Sequence, residues 1–421
     1  MSGRNLPTVF DNPTDSDAPR IIFHVDLDCF YAACERLRHP DLENEPVIIG
    51  MGYEEGESHG VVATASYEAR DHGINSTDPI DDAITQLPLA SQAGDDDVVG
   101  HYFPVDIEFY ESISSAVKGI MHDTATTVRE VSIDEAYLDV TDRTDWDNGG
   151  EYAEQMKQRI QDEVGVVASI GVAPNMSTAK IASDYDKPDG LHIVRPDEVR
   201  DFLAPLDLGE IHDLGPETAR ELRQAGIETA GDLAEADVDT LRDRFGERGE
   251  KIYRYVRGED DREVTPADPP KSFLRDSAFT EATDDIERQH KQIKTLAHGV
   301  AERARQHDSM YRTIGIKVVT PPFEKHTRRK TLSGPVDDPD LVEVVAMELL
   351  EEFHDEEVRK LGVMVSNLTY ADQNQASLDS WGNDDDTDDN EAATADSGPD
   401  SGTVDGAGQG TERQSSLTDF H

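Results

Sequence analysis

The apolar positions of this chain fall into short runs whose period switches repeatedly between two and about 3.6. Ile21 to Leu27 alternates as a strand, with His24, Asp26 and Asp28 on one face. Phe30 to Arg38 reads as a helix that stops before Pro40. Pro46 to Gly50 is a buried strand, and Gly60 to Thr64 is another, leading into a helix from Ala65 to His72. An amphipathic helix is predicted over 106–122, a strand or hairpin over 128–140, a helix from Glu151 to Glu163 and a strand from Val166 to Val172. A helix from about Asn175 to Tyr185 follows, ended by the Lys187-Pro188-Asp189-Gly190 turn. This order predicts a mixed α/β unit with a ferredoxin-like sheet.

From Leu206 to Gly258 the elements become short helices, and the segment around Asp213-Leu214-Gly215-Pro216 reads as a tight turn between two of them. Such a turn exposes backbone N–H groups that can hold a phosphate, although a plain helical hairpin has the same pattern. Asp260 to Pro270 is acidic and Pro-rich, an interdomain linker. Residues 271–370 form a further α/β unit. Its strand Arg312 to Val319 precedes a second strand carrying Lys325, Arg328, Arg329 and Lys330, the densest basic patch in the chain. That patch is either an edge strand guarded by cations or a phosphate-contacting strand, and the second reading is preferred. Residues 1–19 are polar and Pro-containing, and 382–410 contain no Lys or Arg; both are expected to be disordered.

At 421 residues the chain has room for about three or four domains. Its 36% hydrophobic content and mean hydropathy of -0.63 accompany no apolar stretch approaching the roughly 20 residues of a membrane span. No signal-peptide pattern opens the sequence, and Cys29 and Cys34 are its only cysteines, which fits a reducing cytoplasm. The net charge of -51 reflects acids spread through the whole chain, with Arg outnumbering Lys. Such a surface suits molar intracellular salt, where a Debye length of about 3 Å screens the self-repulsion and a polyanionic partner is no longer forbidden.

Two acidic motifs carry the chemistry. Val25-Asp26-Leu27-Asp28 ends one strand and Ser132-Ile133-Asp134-Glu135 opens another. Carboxylates at the ends of apolar strands are hard oxygen ligands on a rigid floor, suited to Mg²⁺. Asp26 and Asp134 are candidates to bridge two Mg²⁺ ions, with Glu135 assisting. Neighbours on a regular strand point to opposite faces, so Asp134 and Glu135 can share a metal only near a hairpin tip or bulge. Tyr67 and Arg70 lie three apart at a helix start, offering a phenol and a bidentate fork to phosphate oxygens. Lys187 could reach the same anion, and Tyr31 could pack beneath a deoxyribose and exclude a 2′-hydroxyl. Together these residues point to two-metal nucleotidyl transfer.

His24 to Ala33, Val62 to Arg70 and Ser132 to Asp139 resemble the signature blocks of the Y-family DNA polymerases, and Ala179 to Asp184 with Lys187 to Gly190 resemble its DinB branch. The match runs from about Arg20 to Tyr370. The resemblance implies a right hand: palm (20–30 and 106–195), fingers (31–105), helical thumb with a helix-hairpin-helix (196–259), linker (260–270) and α/β little finger (271–370). It implies distributive, low-fidelity, template-directed synthesis from dNTPs on primer-template DNA, without proofreading and tolerant of damaged templates; a cytoplasmic monomer is expected. By motif position, Asp26, Asp134, Glu135 and the Leu27 carbonyl would bind two Mg²⁺ ions. Tyr31 would be the steric gate, and Thr64, Tyr67, Arg70 and Lys187 would contact the triphosphate. Gly215 in the thumb, and Arg328, Arg329 and Lys330 in the little finger, would grip DNA phosphates. Asp78 before Pro79, Asp186 before Lys187, and Asp213-Leu214-Gly215-Pro216 depart from the usual motifs.

The tail, 414–421, resembles a sliding-clamp (PCNA) box through Gln414, Leu417 and Phe420, tethered by acidic residues 371–413; Gln375 to Trp381 is a second, similar string. Molar salt erodes counterion-release affinity for DNA, so clamp tethering should supply much of the residence on template. The competing reading is a catalytically idle scaffold for primer-template and clamp. The intact set of Asp26, Asp134, Glu135, Tyr67, Arg70 and Lys187 argues against it. A nucleotide cyclase on a related palm would need neither the hairpin, the basic strand nor the clamp peptide.

Overall fold

The computed structural model describes residues 19–56, 58–94 and 98–370. The chain divides into two compact units at Ala267/Asp268, within the expected linker.

In the first unit, β1 (Ile22–Leu27) leads into α1 (Phe30–Arg38), β2 (Val47–Met51), β3 (Val61–Ala65), α2 (Tyr67–Asp71), α3 (Ile80–Gln86) and β4 (His101–Pro104). Then follow α4 (Ile107–Thr124), β5 (Thr127–Glu130), β6 (Glu135–Asp139), α5 (Gly149–Val164), β7 (Ala168–Ala173), α6 (Met176–Tyr185) and β8 (Leu191–Ile193). The main sheet has the order β5-β6-β1-β7-β8, with β1 central and antiparallel to both neighbours. Because both its faces are covered, every residue of β1 is buried, polar ones included. Phe23, Val25 and Leu27 pack on one side with Val117, Met121 and Ile160 of α4 and α5. Ile22 packs on the other with Ala179 and Ala182 of α6. That second face is where His24 and Asp26 emerge.

The close seat of α6 depends on Gly171 in β7. A Cβ there would lie 2.0 Å from the Ala179 carbonyl oxygen and 2.4 Å from the Ser183 nitrogen. At the helix start, Asn175 caps the Thr178 N–H, and Asp260 accepts the Ser177 N–H at 3.0 Å. Asp260 is buried and doubly bonded to Arg262, so the start of the expected linker is fastened to this unit.

Among the elements that periodicity does not mark are α3 and the short strands β4 and β8. Each strand is only three or four residues long and adds to an edge in parallel, β4 on β2 and β8 on β7. Both are too short to show a pattern. The helix expected from Ala65 to His72 is shorter, because β3 continues through Ala65 and Ser66 supplies the cap. The region 128–140 is a hairpin, with residues 131–134 at its tip.

Five short helices complete this unit: α7 (Val199–Leu203), α8 (Pro216–Gln224), α9 (Ala230–Glu235), α10 (Val238–Phe245) and α11 (Glu247–Val256). They enclose a core of Leu203, Leu214, Leu222, Leu233, Leu241 and Ile252.

The second unit contains β9 (Ser272–Thr283), α12 (Ile286–Gln306), β10 (Ser309–Thr320), β11 (Glu324–Val336), α13 (Pro339–Leu350) and β12 (Val358–Tyr370). Its four antiparallel strands run in the order β11-β10-β12-β9. Ile314, Ile316, Val363 and Val365 face α12 and α13 and form the core with Ile293, Val300 and Val345. The alternate positions form an open face. Among the described residues of either unit, no helix is long and apolar enough to cross a membrane.

Candidate active site

The carboxylates gather at one end of the main sheet. Asp26, near the end of β1, lies directly opposite Glu135, the first residue of β6, so both side chains share the face covered by α6. Asp134 occupies the hairpin tip, and its carbonyl accepts the Leu27 N–H at 3.0 Å. The tip therefore frees Asp134 and Glu135 from strict alternation, the condition the sequence reading set for their sharing one ligand. Burial pushes the Asp134 carboxyl up, with Asp26 and Glu135 adding to the effect, although a hydrogen bond from Ser132 at 2.5 Å opposes it. Burial acts the same way on Glu135, but His24 and Lys180 outweigh it and hold that carboxyl well below its usual range.

Two lysines enter this cluster. Lys187 Nζ is 2.5 Å from one Asp26 oxygen, and Lys180 Nζ is 2.7 Å from the other and 3.1 Å from Glu135. Both ammonium groups also reach Asp184, at 2.8 Å and 3.3 Å respectively. Burial would lower the lysines' pKa values, but the carboxylates override it and raise both. These hard, converging oxygens fit a divalent cation: they already bind cations, and among the described residues no lysine pairs with Asp134. Among the described residues, His298, Asp340 and Glu343 also bring three ligand atoms within 4.8 Å of one another, but Lys294 already pairs with Glu343 there.

The turn bearing Lys187 is fixed from behind. Asp189 adopts a left-handed φ of 58°, its N–H donates to Asp28 at 2.8 Å, and its carbonyl accepts from Lys157 Nζ at 2.5 Å. Asp28 is thus a bracket, also accepting from Ser169 Oγ and from Tyr67 Oη at 3.2 Å. Burial pushes its carboxyl up, against those hydrogen bonds. Through Asp28 the residues of α2 meet the strand end. Arg70 in turn donates through Nε to the Ala65 carbonyl, with its guanidinium carbon 4.9 Å from the Tyr67 ring centre. Arg36 binds Glu68 at 2.7 Å and holds α2 against α1. Thr64 lies next to this helix in β3, half-buried. Tyr31 on α1 is stacked on the buried Tyr110 ring at 4.6 Å, and burial, with help from Asp134, raises its phenol to about 12.

The sequence departures have local explanations. The Asp78 carboxylate accepts the Asn75 N–H at 2.7 Å and closes its own turn, while Asp186 pairs with His192 at 2.7 Å. In the Asp213-Leu214-Gly215-Pro216 turn the left-handed position is Asp213 (φ 66°), which also binds Lys251 at 2.6 Å. Gly215 caps α8 with an ordinary φ of -69°, and Arg248 donates to the Asp213 carbonyl beside it.

In the second unit the basic strand is split by its pleat. Arg328 and Lys330 point toward the helices: Arg328 makes two 2.7 Å bonds to Glu352, and Lys330 binds Glu348 at 2.5 Å. Arg329 and Lys325 stand on the open face with Lys317 and Lys360, opposite Gly315 and Val319. The last two lysines share the Asp276 carboxylate, at 3.4 Å and 2.8 Å. Gln414, Leu417, Phe420 and the string from Gln375 to Trp381 lie outside the described residues.

Sequence reading thus missed the roles of Lys180, Asp184, Asp28 and Lys157. The spacing of Lys180, Asp184 and Lys187, four and then three residues, was the available signal for the first two. No local pattern tied Lys157 to a turn 32 residues later.

Residues 25–184 match the impB/mucB/samB family, 270–378 match its C-terminal domain, and 206–251 match a SAM-like helix-hairpin-helix tandem. The DNA polymerase IV of Halobacterium salinarum is 50% identical over 359 residues, covering 85% of this chain and 87% of that protein. That of Methanoculleus marisnigri is 41% identical over 363 residues, covering 86% and 98%. A Y-family DNA polymerase chimera of Dbh and Dpo4 superposes with a TM-score of 0.72 at 28% identity, covering 83% of this chain and 99% of that one. An insertion ternary complex of Dbh DNA polymerase gives 0.61 at 27%, with the same coverage. With the carboxylates, lysines and hairpin disposed as described, this chain belongs to the Y-family DNA polymerases, in the DNA polymerase IV (DinB) branch.

Proposed function

We propose that the carboxylate end of the main sheet carries out template-directed extension of a primer 3′-hydroxyl with dNTPs, in translesion synthesis. The chain is a DNA-directed DNA polymerase by its family, and the observation that carries the residue roles is the convergence of Asp26, Asp134 and Glu135 beside Lys187. Asp26, Asp134, Glu135 and the Leu27 carbonyl are the proposed holders of two Mg²⁺ ions. Ions held by these residues would supply acidification of the primer hydroxyl and neutralisation of the triphosphate and leaving pyrophosphate.

The protein's own groups position the substrates. Lys187, Arg70, Tyr67 and Thr64 bind the triphosphate: Arg70 by its fork, Lys187 as a movable charge. The Tyr31 ring, backed by Tyr110, blocks a ribose 2′-hydroxyl. In this reading the main sheet with α4–α6 is the palm, the sheet β3-β2-β4 with α2 and α3 the fingers, α7–α11 the thumb, and the second unit the little finger. The Gly215 turn and the open face around Arg329 contact DNA phosphates, and Arg328 and Lys330 reach DNA only by leaving Glu352 and Glu348. The chain acts as a cytoplasmic monomer adapted to molar salt and binds a PCNA clamp through Gln414, Leu417 and Phe420.

Mg²⁺-dependent primer extension from low to molar KCl tests this, with Asp134→Ala/Glu135→Ala as control. Short, distributive products at high salt that vanish in the control are expected. A folded protein that extends nothing at any salt would leave the idle scaffold standing. Removing 411–421 should lower clamp-stimulated synthesis in molar KCl; unchanged stimulation would exclude that peptide.

A further inference from the structure

The lysine pair raises a problem that the proposed roles alone do not resolve. Asp26 has an ammonium on each oxygen, and Lys180 also spans to Glu135. Without any cation, three carboxylates packed this closely and largely buried would repel one another. The lysines prevent that. They also occupy the oxygens that a divalent cation needs, and like charges cannot share them at such distances.

A displaced ammonium needs a new partner within side-chain reach. Asp184 supplies one. It lies four residues after Lys180 and three before Lys187, and it already touches both ammonium groups through different oxygens. Its side chain is about half exposed at 49%, whereas that of Asp26 is 8% exposed. The seat is therefore outside the carboxylate cluster, yet reachable by rotamer changes alone. The helix itself is held rigidly by the contact at Gly171 and the Asp260 cap.

We propose that Lys180 is the resident counter-ion of the Asp26–Glu135 pair and competes with the divalent cation, and that Asp184 is a positioning residue that receives Lys180 and Lys187 when that cation binds. The exchange keeps the carboxylates paired and ordered before metal arrives. It then holds Lys187 at the rim of the cluster, where an incoming triphosphate can take it. The proposal rests on Asp26 and Glu135 being metal ligands.

Mn²⁺ binding, followed by the EPR signal of the free ion in molar KCl without DNA or nucleotide, tests it independently of turnover. Lys180→Met and Lys180→Gln should bind Mn²⁺ about 3- to 10-fold more tightly than the unaltered protein, the scale of one partly buried charge pair. Lys180→Arg, which keeps the charge, should bind as the unaltered protein does. Asp184→Asn should bind about 3- to 10-fold more weakly, because the lysines lose their alternative seat. Equal or weaker binding by both neutral Lys180 variants, folded by circular dichroism, would overturn the proposal, as would equal or tighter binding by Asp184→Asn. Asp134→Ala/Glu135→Ala separates the two levels: Mn²⁺ binding unaffected by that change removes the ligand assignment itself. Binding lost there but unmoved by Lys180 removes only the exchange.

Discussion

The carboxylate end of the main sheet and the open face of the second unit solve opposite electrostatic problems by the same device. At the first, three acids converge and two lysines sit among them. At the second, Lys317, Lys325, Arg329 and Lys360 form a basic face, and the carboxylate of Asp276, 5% exposed, sits among the lysines. In each case a minority charge of the opposite sign keeps like charges together. The difference lies in rigidity. The acids rise from a central strand and a hairpin tip beneath a helix, whereas the cations stand on an open pleated surface. A chemical centre needs sub-ångström placement; a phosphate track needs only charge.

Changes at α6 should therefore hurt most. Gly171→Ala puts a methyl against the Ala179 carbonyl and pushes the helix, with Lys180, away from the sheet. A shift of this kind should cost about 100-fold in extension rate and about 1–3 kcal/mol of stability, read by single-turnover kinetics and thermal unfolding. Near-normal turnover would show that the acidic end does not depend on this seat. Lys157→Met removes the donor to the Asp189 carbonyl beneath Lys187. An effect of about tenfold, mainly on the KM for dNTP, is expected, with recovery in Lys157→Arg; an effect confined to Tm would make Lys157 purely structural.

Acid should loosen the same helix. Burial alone would raise the Asp260 pKa, but Arg262 and the Ser177 N–H hold it below the ordinary 3.8. A depressed native pKa stabilises above the unfolded value and loses that contribution as pH falls through the native one. The unaltered protein should exceed Asp260→Asn by about 1–2 kcal/mol at neutral pH and converge with it below pH 3.8. A gap that persists in acid would mean that ionisation of Asp260 is not its source.

The smallest effects belong to the open face. Arg329→Ala should weaken primer-template binding by about 1 kcal/mol and reduce the salt slope by about one. Arg328→Ala, which removes a group paired to Glu352, should change DNA binding less. Equal losses from both would erase the distinction between the two faces of that strand.

Much of this was legible in the chain. The strand Ile22–Leu27, the helix Phe30–Arg38 and the helix ending at Tyr185 follow directly from period and Pro position, as does the need for a hairpin tip at Asp134. Residues brought together across long separations were not. Asp28 and Asp189 are 161 apart, and Lys180 and Asp26 are 154 apart. A basic run gives no sign of which members face solvent until its register is known: one step separates Arg329, on the open face, from Arg328, bound to Glu352.

The sequence by itself determined the kinds of groups and their local order, because period, turns and helix spacing act over a few residues. Only the tertiary structure decided their electrostatic partners. A charge responds to whatever lies within a few ångströms, and here that neighbourhood is assembled from β1, the hairpin tip and α6, segments distant in the chain and joined only by packing.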